Sequence, residues 1–132
     1  MLRYCLTFFL VHLLTGTLPA QPSFEARADA RQVVLNGYFD LSFTLRDADG
    51  SNFQPPPFSD FIVVTGPSRS VRTSITNGQV SKELTYFYTL QPKRTGSFTI
   101  GPATIIANGQ RMRTTPVPIE VIKGGSQDNT TG

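Results

Sequence analysis

The chain has 132 residues, with 12 Lys and Arg side chains against 9 Asp and Glu, one Cys, one His and no Trp. This length corresponds to a single domain, and a formal net charge of +3 is too small to indicate a nucleic-acid binder. Cys5 and His12 both lie within the first twenty residues. If that segment is removed on export, the remaining chain is without disulfides, Cys/His metal sites, thiol nucleophiles and histidine triads.

The first segment has the three-part plan of a secretory signal peptide. Arg3 supplies the positive start, an apolar stretch follows from Tyr4 to Leu14, and small residues end at Ala20. The apolar stretch, about 11 residues, is too short to span a bilayer about 30 Å thick as a helix. We predict a signal peptide over residues 1–20 and an exported chain that begins at Gln21. A buried N-terminal helix is the alternative for this segment.

After residue 20 the dominant hydrophobic period is two, which indicates β-strands. Strand-like runs occupy residues 24–31, 39–46, 71–75, 79–90, 97–100, 103–106, 110–114 and 117–121. Four dipeptides that favour tight turns lie between or beside these runs: Asn36-Gly37, Asp49-Gly50, Asn77-Gly78 and Asn108-Gly109. We predict an all-β fold, an immunoglobulin-like antiparallel β-sandwich of eight or nine short strands over residues 21–123. A small barrel is the main alternative.

The predicted core has neither a disulfide nor a Trp, so it must consist of Phe, Tyr, Leu, Ile and Val side chains. Each fully buried side chain of this size contributes about 1.5–3 kcal/mol. Eight phenylalanines supply the bulk: Phe24, Phe39, Phe43, Phe53, Phe58, Phe61, Phe87 and Phe98. Residues 124–132 have no apolar period, which is typical of a flexible linker. We predict that this tail is cut short before further domains.

The most distinctive segment runs from Phe53 to Phe61 and contains three successive prolines. Prolines cannot donate to a central ladder, so this segment must be extended or lie along an edge. In one interpretation Phe53, Phe58 and Phe61 enter the core and the prolines stiffen a crossover. In the other, the segment is a partner-binding loop made of Phe53, Pro55, Pro56, Pro57 and Phe58.

Candidate catalytic and metal chemistry is sparse. Residues 47–52 resemble the start of a calcium loop, but Gly50 comes too early and the twelfth position is Phe58. Ser81 and Lys82 could form a dyad by composition, but neighbours on a strand point to opposite faces. We therefore predict no catalytic residue, no metal ligand and no cofactor. The protein is not expected to be an enzyme.

Seven stretches, in order and with matching spacing from about residue 23 to 123, carry a family resemblance: Phe24–Leu45, Asn52–Phe61, Val64–Ser68, Ile75–Gly78, Tyr86–Pro92, Thr95–Ala103 and Thr115–Val121. Together they resemble the N-terminal β-domain of the BatD, or oxygen-tolerance, family of bacterial envelope proteins, in a form typical of Bacteroidota. The resemblance implies a β-sandwich facing the periplasm, and an association with the inner membrane through a C-terminal helix in full-length relatives. The present chain departs from that pattern by stopping at Gly132.

The resemblance also implies a function. It predicts a non-catalytic interaction or scaffold module linked to oxygen tolerance or stress, with no catalytic residues to transfer. The implied partners are envelope proteins, in particular membrane proteins with von Willebrand A domains or tetratricopeptide repeats. The alternative is a carbohydrate-binding or accessory β-sandwich module of a secreted hydrolase, and the absence of Trp counts against it.

Overall fold

The computed structural model describes residues 21–124, which form ten β-strands and no helix. The strands are β1 (Ser23–Ala28), β2 (Gln32–Val34), β3 (Phe39–Arg46), β4 (Gly50–Gln54), β5 (Phe61–Thr76), β6 (Gln79–Pro92), β7 (Gly96–Ile100), β8 (Thr104–Ala107), β9 (Gln110–Arg113) and β10 (Val117–Ile122). The all-β prediction is confirmed. The signal peptide predicted over residues 1–20 and residues 125–132 of the predicted tail lie outside the described residues.

The first layer of the fold is an antiparallel sheet in the order β1, β3, β6, β5. In β3 the predicted alternation holds, because the residues from Phe39 to Leu45 at odd positions are buried and those between them are more exposed. In β6 the side chains of Leu84, Tyr88 and Leu90 are buried on the same side of the sheet. β1 and β5 form the two edges of this layer.

The second layer behaves as one sheet despite two interruptions in its strands. Ile100 lies opposite Val117 and Thr104 lies opposite Arg113, so β7 with β10 and β8 with β9 follow one continuous register. At the interruption the Thr114 N–H donates to the Ala103 carbonyl at 3.0 Å, and the Ala103 N–H donates to Thr114 Oγ1 at 2.9 Å. β7 and β8 therefore act as one strand, as do β9 and β10. Counted in this way, the described residues hold eight continuous strands, within the predicted eight or nine.

The two layers pack face to face as an immunoglobulin-like β-sandwich. The largest fully buried side chains come from both layers: Phe39, Leu41, Phe43, Leu45, Leu90, Ile100, Ile105 and Ile119. In the second layer β2 runs parallel to β10 at one edge, and β4 pairs with β8 at the other. Because the pairings described leave two edges on each layer, these strands do not close into the alternative barrel.

Seven of the eight predicted core phenylalanines lie in or against the core. Phe24, Phe39, Phe43 and Phe61 are buried, and Phe53, Phe58 and Phe98 pack against them half-buried. The prediction for Phe87 is wrong, because this side chain is 44% exposed. Phe87 alternates with the buried Tyr88 along β6, so its side chain points out of the sandwich.

The turn dipeptides follow the predicted chemistry at two of the four sites. Asn77-Gly78 and Asn108-Gly109 connect adjacent antiparallel strands, and all four residues have positive φ. At Asn36-Gly37 only the Asn has positive φ, and the turn connects strands in different layers. Asp49-Gly50 differs from the prediction, since positive φ occurs at Asp47 and Gly50 is already the first residue of β4.

We expect Phe43→Ala to lower the free energy of unfolding by about 3–5 kcal/mol, because a fully buried ring leaves a cavity between the layers. Phe43 is 0% exposed and its ring lies 5.7 Å from Phe53 and 6.0 Å from Tyr88. Phe87→Ala is the matched control, with an expected loss of about 1 kcal/mol or less. Urea unfolding of both variants tests the prediction, and equal losses would contradict the assigned faces of the first layer.

Gly66→Ala should also destabilise the fold, by about 2–3 kcal/mol. Gly66 has φ +121° beside an irregularity in the β5–β6 ladder, and an added Cβ would lie 2.7 Å from the Phe87 carbonyl oxygen. Gly78→Ala is the control, because Gly78 has φ +76° but no neighbouring atom within 4 Å of an added Cβ. Its expected loss is about 1 kcal/mol from backbone strain alone. A thermal melt in which Gly78→Ala is the less stable variant contradicts this ranking.

Candidate functional site

The proline segment is the crossover between the two layers. It connects β4 in the second layer to β5 in the first, as one of the two sequence interpretations predicted. The Phe53 ring stacks on Tyr86 at 3.8 Å between centroids with an interplanar angle of 5°, and it also meets Phe43 and Phe24. At the other end of the crossover the Phe61 N–H donates to the Phe58 carbonyl at 3.1 Å, which closes a tight turn before β5.

The five residues of the predicted partner-binding loop are therefore not equally accessible. Pro56 is buried, with its Cβ facing Gly101, and Phe53 and Phe58 are half-buried against the core. Only Pro55 and Pro57 are exposed. Partner docking at the five-residue loop stays a prediction, and a partner would contact chiefly the exposed rings of Pro55 and Pro57.

Tyr88 lies beneath the crossover, with its ring 5.0 Å from Phe58 and 6.0 Å from Phe43. Burial raises the pKa of the Tyr88 phenol, and the neighbouring Tyr86 raises it further. A phenol with a raised pKa stays protonated at neutral pH, so the geometry gives Tyr88 a packing role in this aromatic cluster.

The polar segments considered for chemistry form structural contacts instead. The Lys82 ammonium lies 3.1 Å from the Asp49 carboxylate, and the Ser81 hydroxyl donates to the Ser74 carbonyl, so the two neighbours engage different partners. Part of the segment resembling a calcium loop is strand β4, which begins at Gly50. Within residues 21–124 no three His, Cys, Asp or Glu side chains come together as a metal site. Those residues also form no helix with the length and apolar character needed to cross a membrane.

A second candidate site is the arm, which we define as residues 69–82 of the β5–β6 hairpin. β3 pairs with β6 only up to Glu83, and the Asp47 N–H just after β3 still bonds to the Lys82 carbonyl. Residues 79–81 of β6 therefore pair with β5 alone and continue past the end of β3. Every residue of β5 after Phe61 is exposed. The hairpin closes at Asn77-Gly78, where the dipeptide supplies the two positive φ angles.

One face of the arm, which we call the apolar face, carries all of its aliphatic side chains, together with Arg69, Thr73 and Lys82. Val71 lies opposite the buried Leu84, and Ile75 lies opposite Val80, in an unbroken register from Ser68 to Thr76. Side chains two residues apart share a face, so Val71, Ile75 and Val80 all point to the side of the sheet that carries the core. They are nevertheless 61%, 73% and 59% exposed. The apolar face of the first layer thus extends beyond the part that the second layer covers.

The free edge of β5 carries unpaired backbone groups at known positions. The Lys82 carbonyl accepts from the Asp47 N–H at 2.8 Å, so it points away from β5, and the opposite residue is Thr73. Opposite residues of an antiparallel pair alternate between exchanging two hydrogen bonds and none. The outward-facing N–H and C=O groups are therefore those of Arg69, Val71, Thr73 and Ile75.

The charge of the arm is entirely positive. Residues 61–82 contain Arg69, Arg72 and Lys82 and no Asp or Glu. Lys82 is paired with Asp49, whereas neither arginine forms an ion pair within the described residues. Arg69 lies on the apolar face, in register with Tyr86. Arg72 lies on the opposite face, in register with Glu83, whose carboxylate is paired with Arg46 at 3.5 Å.

The sequence predicted the strands at residues 71–75 and 79–90, but not the exposure of their apolar side chains. The feature of the sequence that could have indicated the arm is the apolar alternation, which continues up to the turn at Asn77. It could not reveal where the opposite layer ends, because that depends on packing between distant segments.

Comparison with known proteins gives one match. The family model described as BatD DUF11 like domain matches residues 26–121, nearly all of the sandwich from β1 to β10. The searches of curated proteins and of solved structures found no match. The matched range contains the crossover, both layers and the whole arm. The resemblance expected from the ordered stretches is confirmed, and the chain belongs to the BatD family.

Proposed function

We propose that this domain is a non-catalytic interaction module of an exported bacterial envelope protein that supports oxygen tolerance or stress resistance. The family membership supports the setting. The observation that carries the interaction role is the arm, where the 16-residue edge strand β5 and its hairpin partner β6 present three aliphatic side chains more than half exposed. Large exposed apolar surface of this kind is typical of a protein–protein contact.

The module acts by holding partners at the membrane surface rather than by chemistry. Its sandwich provides a rigid support, because the core joins both layers and, among the described residues, every buried side-chain polar atom has a hydrogen-bond partner. The partners we propose are envelope proteins with von Willebrand A domains or tetratricopeptide repeats. Full-length relatives in the family are expected to be anchored in the inner membrane and to face the periplasm.

The arm and the crossover are separate surfaces, so they can be tested separately. The arm is formed by strands of the first layer, whereas Pro55 and Pro57 lie between β4 and the start of β5. β5 runs from Phe61 at the crossover to Thr76 at the tip of the arm, at about 3.3 Å per residue. Loss of docking at one surface is therefore not expected to follow from a conservative change at the other.

We expect the triple variant Val71→Ser/Ile75→Ser/Val80→Ser of the full-length protein to lose at least about 90% of its recovery of von Willebrand A or tetratricopeptide-repeat proteins, because it removes all of the aliphatic surface that the arm offers to a partner. The measurement is cross-linking in intact cells followed by affinity purification and quantitative mass spectrometry. The fold should be retained, since all three side chains are exposed in the unbound domain.

Two controls accompany the triple variant. Tyr38→Ser removes a side chain that is also 61% exposed but lies before β3, at the opposite end of the sheet from the arm, and it should leave recovery unchanged. Pro55→Ala/Pro57→Ala tests the crossover. If the triple variant recovers these partners as well as the unaltered protein does, docking at the arm is overturned. If the unaltered protein recovers neither partner class, the proposed function is overturned.

A further inference from the structure

We propose that the arm binds its partner by strand addition, and that the occupant is an extended acidic segment pairing with the free edge of β5. This inference rests on the proposed function and specifies its mode of recognition. The edge offers both backbone groups of Arg69, Val71, Thr73 and Ile75, which is the template that β-augmentation requires.

The side chains beside this edge define the sequence pattern of the occupant. An added strand places one set of alternate side chains next to Val71 and Ile75, which favours β-branched aliphatic residues at those positions. It places the residue opposite Arg69 on the same apolar face, and the residue opposite Arg72 on the other face. Both arginines are free of ion pairs within the described residues, so an acid at each position completes a cross-strand pair.

Charge argues against a second copy of the chain as the occupant. Pairing two β5 edges would bring four arginines, Arg69 and Arg72 of each copy, onto one two-stranded ribbon whose arms contain no acidic side chain. Like charges on neighbouring strands are destabilising. An acidic extended segment meets the same backbone template and neutralises the charge.

The chain's own C-terminal tail does not fit the apolar face either. β2 and β10 run parallel and end beside the turn at Asn36, where the Leu35 N–H donates to the Ile122 carbonyl. That turn leads into the start of β3, whereas the arm continues past the end of β3. Residues 124–132 contain no aliphatic or aromatic side chain to cover Val71 or Ile75.

The probe is the peptide Ile-Thr-Thr-Glu-Val-Thr-Glu, designed to lie antiparallel to residues 75 to 69 with a Glu opposite each arginine. The control peptide has Lys in place of both Glu residues. We titrate each into the full-length protein and follow single-residue amide hydrogen exchange. The expected result with the Glu peptide is slowed exchange at Arg69, Val71, Thr73 and Ile75, with Ser70, Arg72 and Ser74 unchanged because their N–H groups already bond to β6.

A backbone variant separates strand addition from side-chain docking. Thr73→Pro removes one outward N–H at the centre of the edge without removing a β5–β6 hydrogen bond, a position where a strand tolerates proline. It should weaken binding of the Glu peptide at least about tenfold, whereas Thr73→Ala should change it by less than about threefold. Matching thermal melts of the two variants exclude unfolding as the cause.

Charge reversal provides the second independent readout. Arg69→Glu/Arg72→Glu should invert the preference, so that the Lys peptide binds at least about tenfold more tightly than the Glu peptide. Two results would overturn the proposal. The first is slowed amide exchange along β5 without the alternating pattern. The second is slowed exchange of the same amides without peptide as the protein concentration rises, which identifies a second copy as the occupant. A third result separates this inference from the proposed function. If the Thr73→Pro variant still recovers envelope partners fully while the triple variant at Val71, Ile75 and Val80 does not, strand addition is overturned and the proposed function stands.

Discussion

The crossover between the layers depends on an aromatic contact that Phe53 of β4 makes with Phe43 and Tyr86 of the first layer. Ring centroids 5.7 and 3.8 Å apart bind the second layer to the first at this point. A pair with the centroid separation of Phe43 and Phe53 contributes about 0.5–1.5 kcal/mol beyond the area it buries. In antibody domains a disulfide and a Trp connect the sheets, whereas here stacked and edge-on rings do so without any covalent bond.

That contact determines the path of the next segment. With Phe53 held by Tyr86, and Phe58 held 5.0 Å from Tyr88, the chain between them has to cross from one layer to the other in a few residues. Successive prolines suit this path because they need no ladder donors and restrict the unfolded chain. The crossover delivers β5 to the outer edge of the first layer, next to β6, and so exposes its free side to solvent.

Local patterns were sufficient to predict most of the fold. The alternation from Phe39 to Leu45 and the dipeptides Asn77-Gly78 and Asn108-Gly109 depend only on neighbouring residues, and each has the predicted structure. β4 was not predicted, because Gly50, Ser51 and Asn52 favour turns by propensity. It forms through tertiary packing, since a Cβ at Gly50 would come within 2.6 Å of Ile105.

The candidate site was less predictable for a related reason. An aliphatic residue such as Val71 gives the same sequence signal whether or not an opposite layer covers it. Its exposure follows from the extents of both layers: β5 alone has 16 residues, whereas the continuous strands β7–β8 and β9–β10 of the second layer span residues 96–107 and 110–122. The continuous register through Ala103 and Thr114 is equally invisible in the sequence, because Pro116 separates the predicted runs at residues 110–114 and 117–121.

The arginines of the arm have a second physical role that is compatible with recognition. Charged side chains on an edge strand oppose self-pairing, and Arg69 and Arg72 do so for β5. Opposition to self-pairing does not by itself explain the exposed aliphatic side chains of Val71 and Ile75, because exposed apolar residues on a free edge promote aggregation. Both features are accounted for together when the edge has an acidic occupant. The positive charge keeps two copies apart, and the apolar face then stabilises only a strand that neutralises it.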